Sequence, residues 1–274
     1  MRVLHLSDLH ISPTVPQNRA NAVRALPALR AAKPDLVVVT GDLVEHGHHD
    51  PSEFDAAKAF LDQLGCRWLA LPGNHDVGNF IGAGEASEQI TAERVEAFRG
   101  VFGADRFQHD RLIGVNAMLL GSGLAAEDEQ WRWLERALAS VAGSGAILFT
   151  HAPLFLKSPS EPQSAFEQYW CPPAEARDRL WRLCRSQGVK LIASGHVHQN
   201  RLTQVDSTQV AWATALSGLN VGGQGFPGDA DHTPIARLFV MHEPGDAQHP
   251  AYGTFDIETI DLPIEMRHLT IDAA

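Results

Sequence analysis

Five short segments of this chain combine metal-binding residue types with spacings that allow them to converge. They are Asp8-Leu9-His10, Gly41-Asp42, Gly73-Asn74-His75-Asp76, Thr150-His151 and Gly195-His196-Val197-His198. Imidazole nitrogens, carboxylate oxygens and an amide carbonyl form a mixed nitrogen–oxygen donor set without thiolate, which suits iron, manganese or zinc. Asp8 and His10 are two apart, so in extended chain their side chains point the same way and can grip one ion. His196 and His198 share that spacing, but Gly195 marks a turn, so this pair can splay toward two ions. Gly41 permits a sharp bend before Asp42, whose two oxygens can bridge two cations. Asn74 offers a neutral oxygen and leaves its neighbour His75 free of metal. A lone Asp-x-His is usually incidental, Gly-Asn-His-Asp can be no more than a turn, and Gly-His-x-His can be a polar loop. Five such segments in this order, each behind an apolar run, are not readily explained that way.

The apolar runs supply the elements that must carry these residues. Val3 to Leu6 is short and apolar, and Leu36 to Thr40 is a β-branched run suited to a strand buried on both faces. Asn21 to Ala32 has helical character, with Pro27 expected to kink it or mark a boundary. Asp50-Pro51-Ser52-Glu53 reads as a helix start, with Asp50 as N-cap and Glu53 reaching back. Phe54, Ala57, Leu61 and Leu64 then share one face, and Gly65 ends the helix. Trp68 to Leu71 is the next strand. This β-α-β-α-β order predicts parallel pairing with helices outside the sheet. Leu112 to Leu120 is strand-like, Glu127 to Val141 and Pro173 to Gln187 are helical, and Ala146 to Thr150 and Val189 to Ser194 are strands. Beyond residue 200 the pattern changes. Arg201 to Val205, Gln209 to Thr214, Ile235 to Met241 and Thr254 to Ile260 read as strands of a second, mostly antiparallel sheet. In such α/β architectures the carboxyl ends of parallel strands line one edge, where sites form. With no repeat, low-complexity tract or clear linker, residues 1–274 read as one domain.

Composition narrows the function. The formal net charge is −11, which repels a nucleic-acid backbone and argues against a nuclease on long polymers. Cys66, Cys171 and Cys184 are few and irregularly spaced, which points to a reducing compartment without disulfides. The N-terminal run is broken at once by Asp8, so it is no signal peptide, and no stretch approaches the roughly 20 apolar residues of a membrane span. The expectation is a cytoplasmic protein without membrane partners; a homo-oligomer is left open.

The set DLH, GD, GNHD, TH and GHVH resembles the calcineurin-like metallophosphoesterases, and is most similar to the branch that contains class III cyclic-nucleotide phosphodiesterases and glycerophosphodiesterases. The motifs span residues 8 to 198. The resemblance implies an α/β fold, a two-sheet β-sandwich flanked by helices. It assigns Asp8, His10, Asp42 and His198 to a first metal and Asp42, Asn74, His151 and His196 to a second. It places His75 beside the leaving group, with Asp76 orienting it. Two cations roughly 3.5–4 Å apart would clamp a phosphoryl group and yield a bridging hydroxide. With only Asp8 and Asp42 offsetting them, the site would stay cationic, which suits an anionic phosphoester. The implied function is hydrolysis of small phosphodiesters. A phosphomonoesterase or nucleotide pyrophosphatase on the same site is the alternative, and a non-catalytic scaffold is disfavoured because every ligand is present. Protein Ser/Thr phosphatases of this superfamily carry an Arg soon after the bridging Asp, and GNHE. Here His46 and Asp76 stand at those places, which disfavours that activity.

The other histidines read differently. His46, His48 and His49 form a solvated polar loop, or else a rim that touches substrate or captures a stray metal. His5 is a packed core residue, and His109, His232, His242, His249 and His268 show no ligand pattern. Trp131 belongs to the buried side of its helix. Gly218 to Gly228 reads as a mobile loop near the site mouth, not a nucleotide-binding loop.

Overall fold

The computed structural model describes residues 1–223, 225–242 and 254–270. Strands β1 (Arg2–Leu6), β2 (Leu36–Thr40) and β3 (Arg67–Leu71) pair in parallel, joined through helices α1 (Pro16–Ala31) and α2 (Glu53–Asp62). The short helix α3 (Asn74–Val77) and helix α4 (Ala92–Phe102) follow. A hairpin, β4 (Phe107–His109) and β5 (Leu112–Val115), opens the second sheet. Parallel strands β6 (Ile147–Thr150) and β7 (Leu191–Ser194) continue it, connected by α5 (Ala125–Ser140), α6 (Glu167–Trp170) and α7 (Ala174–Ser186).

The four strands expected past residue 200 do not form a sheet of their own. β8 (Arg201–Val205) and β9 (Thr208–Trp212) extend the second sheet, giving the order β4-β5-β6-β7-β9-β8. β11 (Ile235–Met241) and β12 (Phe255–Asp261) complete the first, giving β12-β11-β1-β2-β3. The reason is that β1 has an open edge, and β11 covers it antiparallel, with Val3 opposite Phe239. β10 (Leu219–Gly222) pairs with β13 (Arg267–Thr270), so the glycine-rich segment expected to be a loop begins as a strand. Residue 224 of that segment, like His249, lies outside the described residues.

The period-2 alternation of each strand decides the layering. Val3, Val38, Phe149, Ala193 and Phe239 point into one buried cluster between the two sheets. Leu4, Leu6, Val37 and Val39 point the other way, against α1, α2 and α4. Ile113, Leu148, Ile192 and Val210 face α5 and α7 on the far side. The result is the expected sandwich of two sheets with helices on both outer faces. His5 also faces inward: it is fully buried, its Nε2 lies 2.9 Å from Thr40 Oγ1, and its ring sits between Phe149 and Phe239. Trp131 is buried, as expected, under the guanidinium of Arg179.

Several boundaries moved, each for a local reason. α1 starts at Pro16 and runs through Pro27, because Pro27 deprives only the carbonyl of Val23, which lies on the exposed side of the helix. β5 stops at Val115, because Asn116 accepts a hydrogen bond from the Met118 amide and caps a 3₁₀ turn. α2 begins at Glu53, and its carboxylate does not reach back to Asp50. It accepts instead from Ser12 Oγ at 2.5 Å and from the His46 amide at 2.9 Å. The carboxylate of Asp50 still caps, taking the Ser52 amide at 3.1 Å.

Burial holds the imidazole of His5 neutral, and Arg237 adds to the effect, so its pKa falls to about 3. A histidine whose folded pKa is lowered carries full stability above its unfolded value of about 6.5 and loses it as pH falls toward the folded value. Between pH 7.5 and 5.5 this group alone costs about 1.4 kcal/mol. His5→Gln keeps a neutral partner for Thr40, so its stability difference between those pH values should be smaller than the wild-type one by about that amount in urea titrations. An unchanged difference would mean that His5 titrates normally.

Candidate metal centre

Each candidate ligand lies just past the carboxyl end of a strand or in the turn that follows. Asp8 and His10 follow β1, Asp42 follows β2, Asn74 follows β3, His151 follows β6, and His196 and His198 follow β7. The post-strand segments stay paired. The amides of Asp8 and His10 donate to the carbonyls of Gly41 and Asp42, at 3.0 and 2.9 Å. Asp8 and His10 do not share a side through extended backbone, as their spacing suggested. They have φ of 57° and 46°, Asp42 has 50°, and His196 and His198 have 66° and 54°. Five non-glycine residues in left-handed conformation at one site are costly, and such strain persists only where the surroundings enforce it.

Glycine supplies the close approaches. Gly41 has φ of 91°, and a Cβ there would strike the ring of His151 and the amide of Gly73. At Gly73 it would strike Asp42 and His151, and at Gly195 it would strike Ser7 and Asp8. The turns therefore pack backbone to ligand, which brings all seven side chains together.

Two donor groups result, and they share Asp42. Asp8, His10, Asp42 and His198 form one, and Asp42, His151 and His196 form the other. Asp42 Oδ2 lies 3.5 Å from His10 Nε2 and 3.4 Å from His151 Nε2. Asn74 Oδ1 lies 3.1 Å from His151 Nε2. The splay expected of His196 and His198 is present, one in each group.

The tautomers are set from outside. His151 Nδ1 donates to the Thr40 carbonyl at 2.6 Å, and His198 Nδ1 to the Leu219 carbonyl at 2.7 Å. In the neutral ring, the form that binds a metal, each Nε2 is then a lone pair aimed inward. His10 Nδ1 lies 3.0 Å from Glu45 Oε2, and His10 Nε2 faces His198 Nε2 at 3.2 Å. Two inward-facing lone pairs at that distance, beside buried Asp8 and Asp42, need a cation or a proton between them. This donor set fits a dinuclear metal centre.

The electrostatics divide the rings: burial opposes the charge of His151, yet Asp42, 3.4 Å from its Nε2, raises its pKa to about 9, so a proton stands there unless an ion replaces it. Burial pushes His196 down to about 3, with His151 adding to the effect, and burial also lowers His10. Both rings are thus in the neutral form a ligand requires. Burial opposes the charge of Asp42, yet His151 and His75 hold its carboxyl well below the ordinary range.

His75 belongs to neither of these donor groups; it converges instead with His10 and Glu45. Its Nδ1 donates to the Glu45 carbonyl at 2.8 Å, its ring stands edge-on to His10 at 4.6 Å, and it lines the cleft. Asp76 does not orient it. The buried Asp76 carboxylate accepts the amides of Gly73 at 2.8 Å, Leu43 at 3.0 Å and Val44 at 3.2 Å, and so bolts the turn after β3 to the segment after β2. The residue that does contact His75 is Glu45, whose carboxylate also backs His10. Burial works against its charge, but His10 and His75 hold it at about 2. Its only sequence signal was its place three residues after Asp42.

The donors form one end of a cleft of about 610 Å³. Beside the donors its lining is apolar or aromatic: Phe166, Tyr169, Trp170, Leu219, Val221 and Leu269. Tyr169 stacks on His196 at 5.7 Å, and Phe226 braces Phe166 and Trp170 at 5.2 Å each. The aromatic cluster around α6 carries no recognisable motif, so this wall was not legible beforehand.

Residues 1–200 match the family model described as calcineurin-like phosphoesterase, and the chain belongs to that family. Relatives fall under two names. A probable cyclic nucleotide phosphodiesterase of Rhodococcus erythropolis is 27% identical over 81% of this chain and 74% of its own length. The human serine/threonine-protein phosphatase CPPED1 is 31% identical over 65% of this chain and 58% of its own. The first name agrees with the branch that the motifs resemble. The second names the kind of activity that His46 and Asp76 were read as disfavouring. The chain spans about three-fifths of the length of the first curated relatives it matches. A dimetal phosphatase from Danio rerio shares the fold, with a TM-score of 0.57 over 96% of this chain and 99% of its own, at 13% identity.

Asp76→Ala should unfold more easily by about 3 kcal/mol or more, because three buried amides lose their acceptor at about 1–3 kcal/mol each. Asp76→Asn keeps one acceptor oxygen and should lose less. Equal urea midpoints for wild type and Asp76→Ala would exclude the bolt.

Proposed function

We propose that this protein hydrolyses small phosphodiesters at a dinuclear metal centre held by Asp8, His10, Asp42, Asn74, His151, His196 and His198. The observation that carries the reading is the pair of buried donor groups sharing Asp42, set in a cleft whose adjoining wall is apolar and aromatic. Bound cations of iron, manganese or zinc supply Lewis acidity to the phosphoryl oxygens and to the attacking water. Asp8, His10, Asp42 and His198 would hold one ion and Asp42, Asn74, His151 and His196 the other, with Asp42 shared between them. The wall of Phe166, Tyr169, Trp170 and Val221 excludes water and holds an apolar or aromatic ester group, which a diester carries on one side whichever bond is cut.

His75 is the leaving-group acid in this reading. Its Nδ1 is committed to the Glu45 carbonyl, so Nε2 is the nitrogen that can present a proton to the cleft. Burial opposes the charge of the ring, but Asp42 and then Glu45 supply the negative charge that favours its protonated form.

Substrates are small rather than polymeric, since the net charge of −11 opposes a nucleic-acid backbone. Among the described residues no helix is long and apolar enough to cross a membrane, and the three cysteines are free; both fit a cytoplasmic setting. Because relatives named phosphatases also match, a phosphomonoester is the second reading.

Protein supplied with manganese should turn over bis(p-nitrophenyl) phosphate, and chelation should abolish the rate until metal is restored. A metal-free preparation with full activity would end the reading, and higher kcat/KM for monoesters across a substrate panel would put the second one first. Asp42→Ala should lose both metals, or their coupling; two retained metals and most of the rate would reject it as the bridge.

His75→Ala should keep both metals and lower kcat by roughly 10²–10⁴ for a poor leaving group, and by less for a nitrophenyl ester, which needs little protonation. Equal losses for both would remove His75 from the acid role.

A further inference from the structure

A second histidine cluster lies outside this centre and shares no residue with it. His48 and His49, in the segment after β2, face Glu88 in the 3₁₀ turn Ala86–Glu88. His48 Nε2 stands 2.5 Å from Glu88 Oε2, and His49 Nε2 stands 3.0 Å from Glu88 Oε1. The two rings lie 4.0 Å apart, and the three donor atoms fall within 4.8 Å of one another.

The hydrogen bonds make this more than a surface ion pair. His48 Nδ1 sits 3.0 Å from the His75 carbonyl, which can only accept, so the ring proton is on Nδ1. In the neutral ring Nε2 is then a lone pair, aimed at a carboxylate that also only accepts. At 2.5 Å such a contact is bridged by a proton, which a divalent ion can replace once the two atoms draw apart to the spacing of neighbouring ligands. Burial lowers the basicity of His48, which works against the proton.

We propose that His48 Nε2, His49 Nε2 and Glu88 form a third cation site, for a divalent transition ion such as zinc. Two imidazoles and a carboxylate suit that class, and the exposed side of His49 leaves room for water to complete the sphere. The ion would tie the segment after β2 to the excursion that follows α3. The His75 carbonyl lies between them and takes both the amide and Nδ1 of His48, at 3.1 and 3.0 Å. The site therefore grips the main chain of His75 from behind, while Glu45 holds its ring from the front.

The test counts zinc per chain after equilibration of the full-length protein at buffered free zinc, in wild type, His49→Ala and Glu88→Gln. Wild type should hold one ion more than either variant, with affinity for that ion falling by roughly 10–100-fold or more when a ligand is lost. The difference is informative whatever the main centre binds, since that occupancy cancels between wild type and variant. Equal zinc counts in all three proteins would overturn the proposal and leave the cluster an ordinary ion pair. A wild-type zinc-dependent rise in Tm that both variants lack would support it from a second measurement.

Discussion

The Asp42 carboxylate sets the terms for everything around it. It is buried among the rings of His10, His151, His196 and His198, and one oxygen lies about equally far from His10 and His151. A charge so placed is tolerated only with positive partners close by. To bring those partners in, the chain gives up ordinary backbone at both neighbouring turns. Gly41 takes a conformation that side chains avoid, and Gly73 approaches the carboxylate so closely that even a methyl group would collide. The amide of His75 then donates to Asp42 Oδ1 at 2.9 Å. That bond fixes where the backbone carries the His75 ring, so the proposed acid and the proposed bridge are positioned by one contact.

The two sheets explain why such strain can be sustained. β1, β2, β3, β6 and β7 end along one edge, and their inward residues interlock in a continuous apolar layer. Between the turns, amide–carbonyl pairs such as Gly195 to His151 at 2.8 Å and Ser217 to Asp8 at 3.0 Å cross from segment to segment. Each left-handed residue is thus pinned by a rigid strand before it and by a hydrogen-bonded neighbour beside it. Loops of this kind carry reactive groups on a scaffold that does not itself need to move.

Much of this was legible beforehand, for identifiable reasons. A strand such as Leu36–Thr40 announces itself because both its faces are buried, and the ligands announce themselves because their side-chain chemistry is uncommon in turns. Glu45 escaped notice because only three-dimensional structure tells which way a side chain at the edge of a loop points. Asp76 was misread because a carboxylate next to a histidine looks like its partner, whereas three backbone amides have the stronger claim. The destination of β11 was hidden for a different reason: local pattern identifies a strand but not the edge it will join. The apolar wall carried no signature at all, since Phe166, Tyr169 and Trp170 resemble any other aromatic run.

The placement of β11 has a consequence for how the chain is made. Val3 and its neighbours acquire their antiparallel partner only when residues 237–240 are available, long after the ribosome has released the segment that contains Asp8 and His10. Contacts of such high sequence separation form late and leave an uncovered strand edge in the meantime. Synthesis from the amino end thus yields first a β1-β2-β3 unit bearing part of the donor set, with one flank open to other strands. The last strands to emerge seal it, so a chain that stops soon after His198 would own every proposed ligand and still lack the cover that keeps the first of them in register.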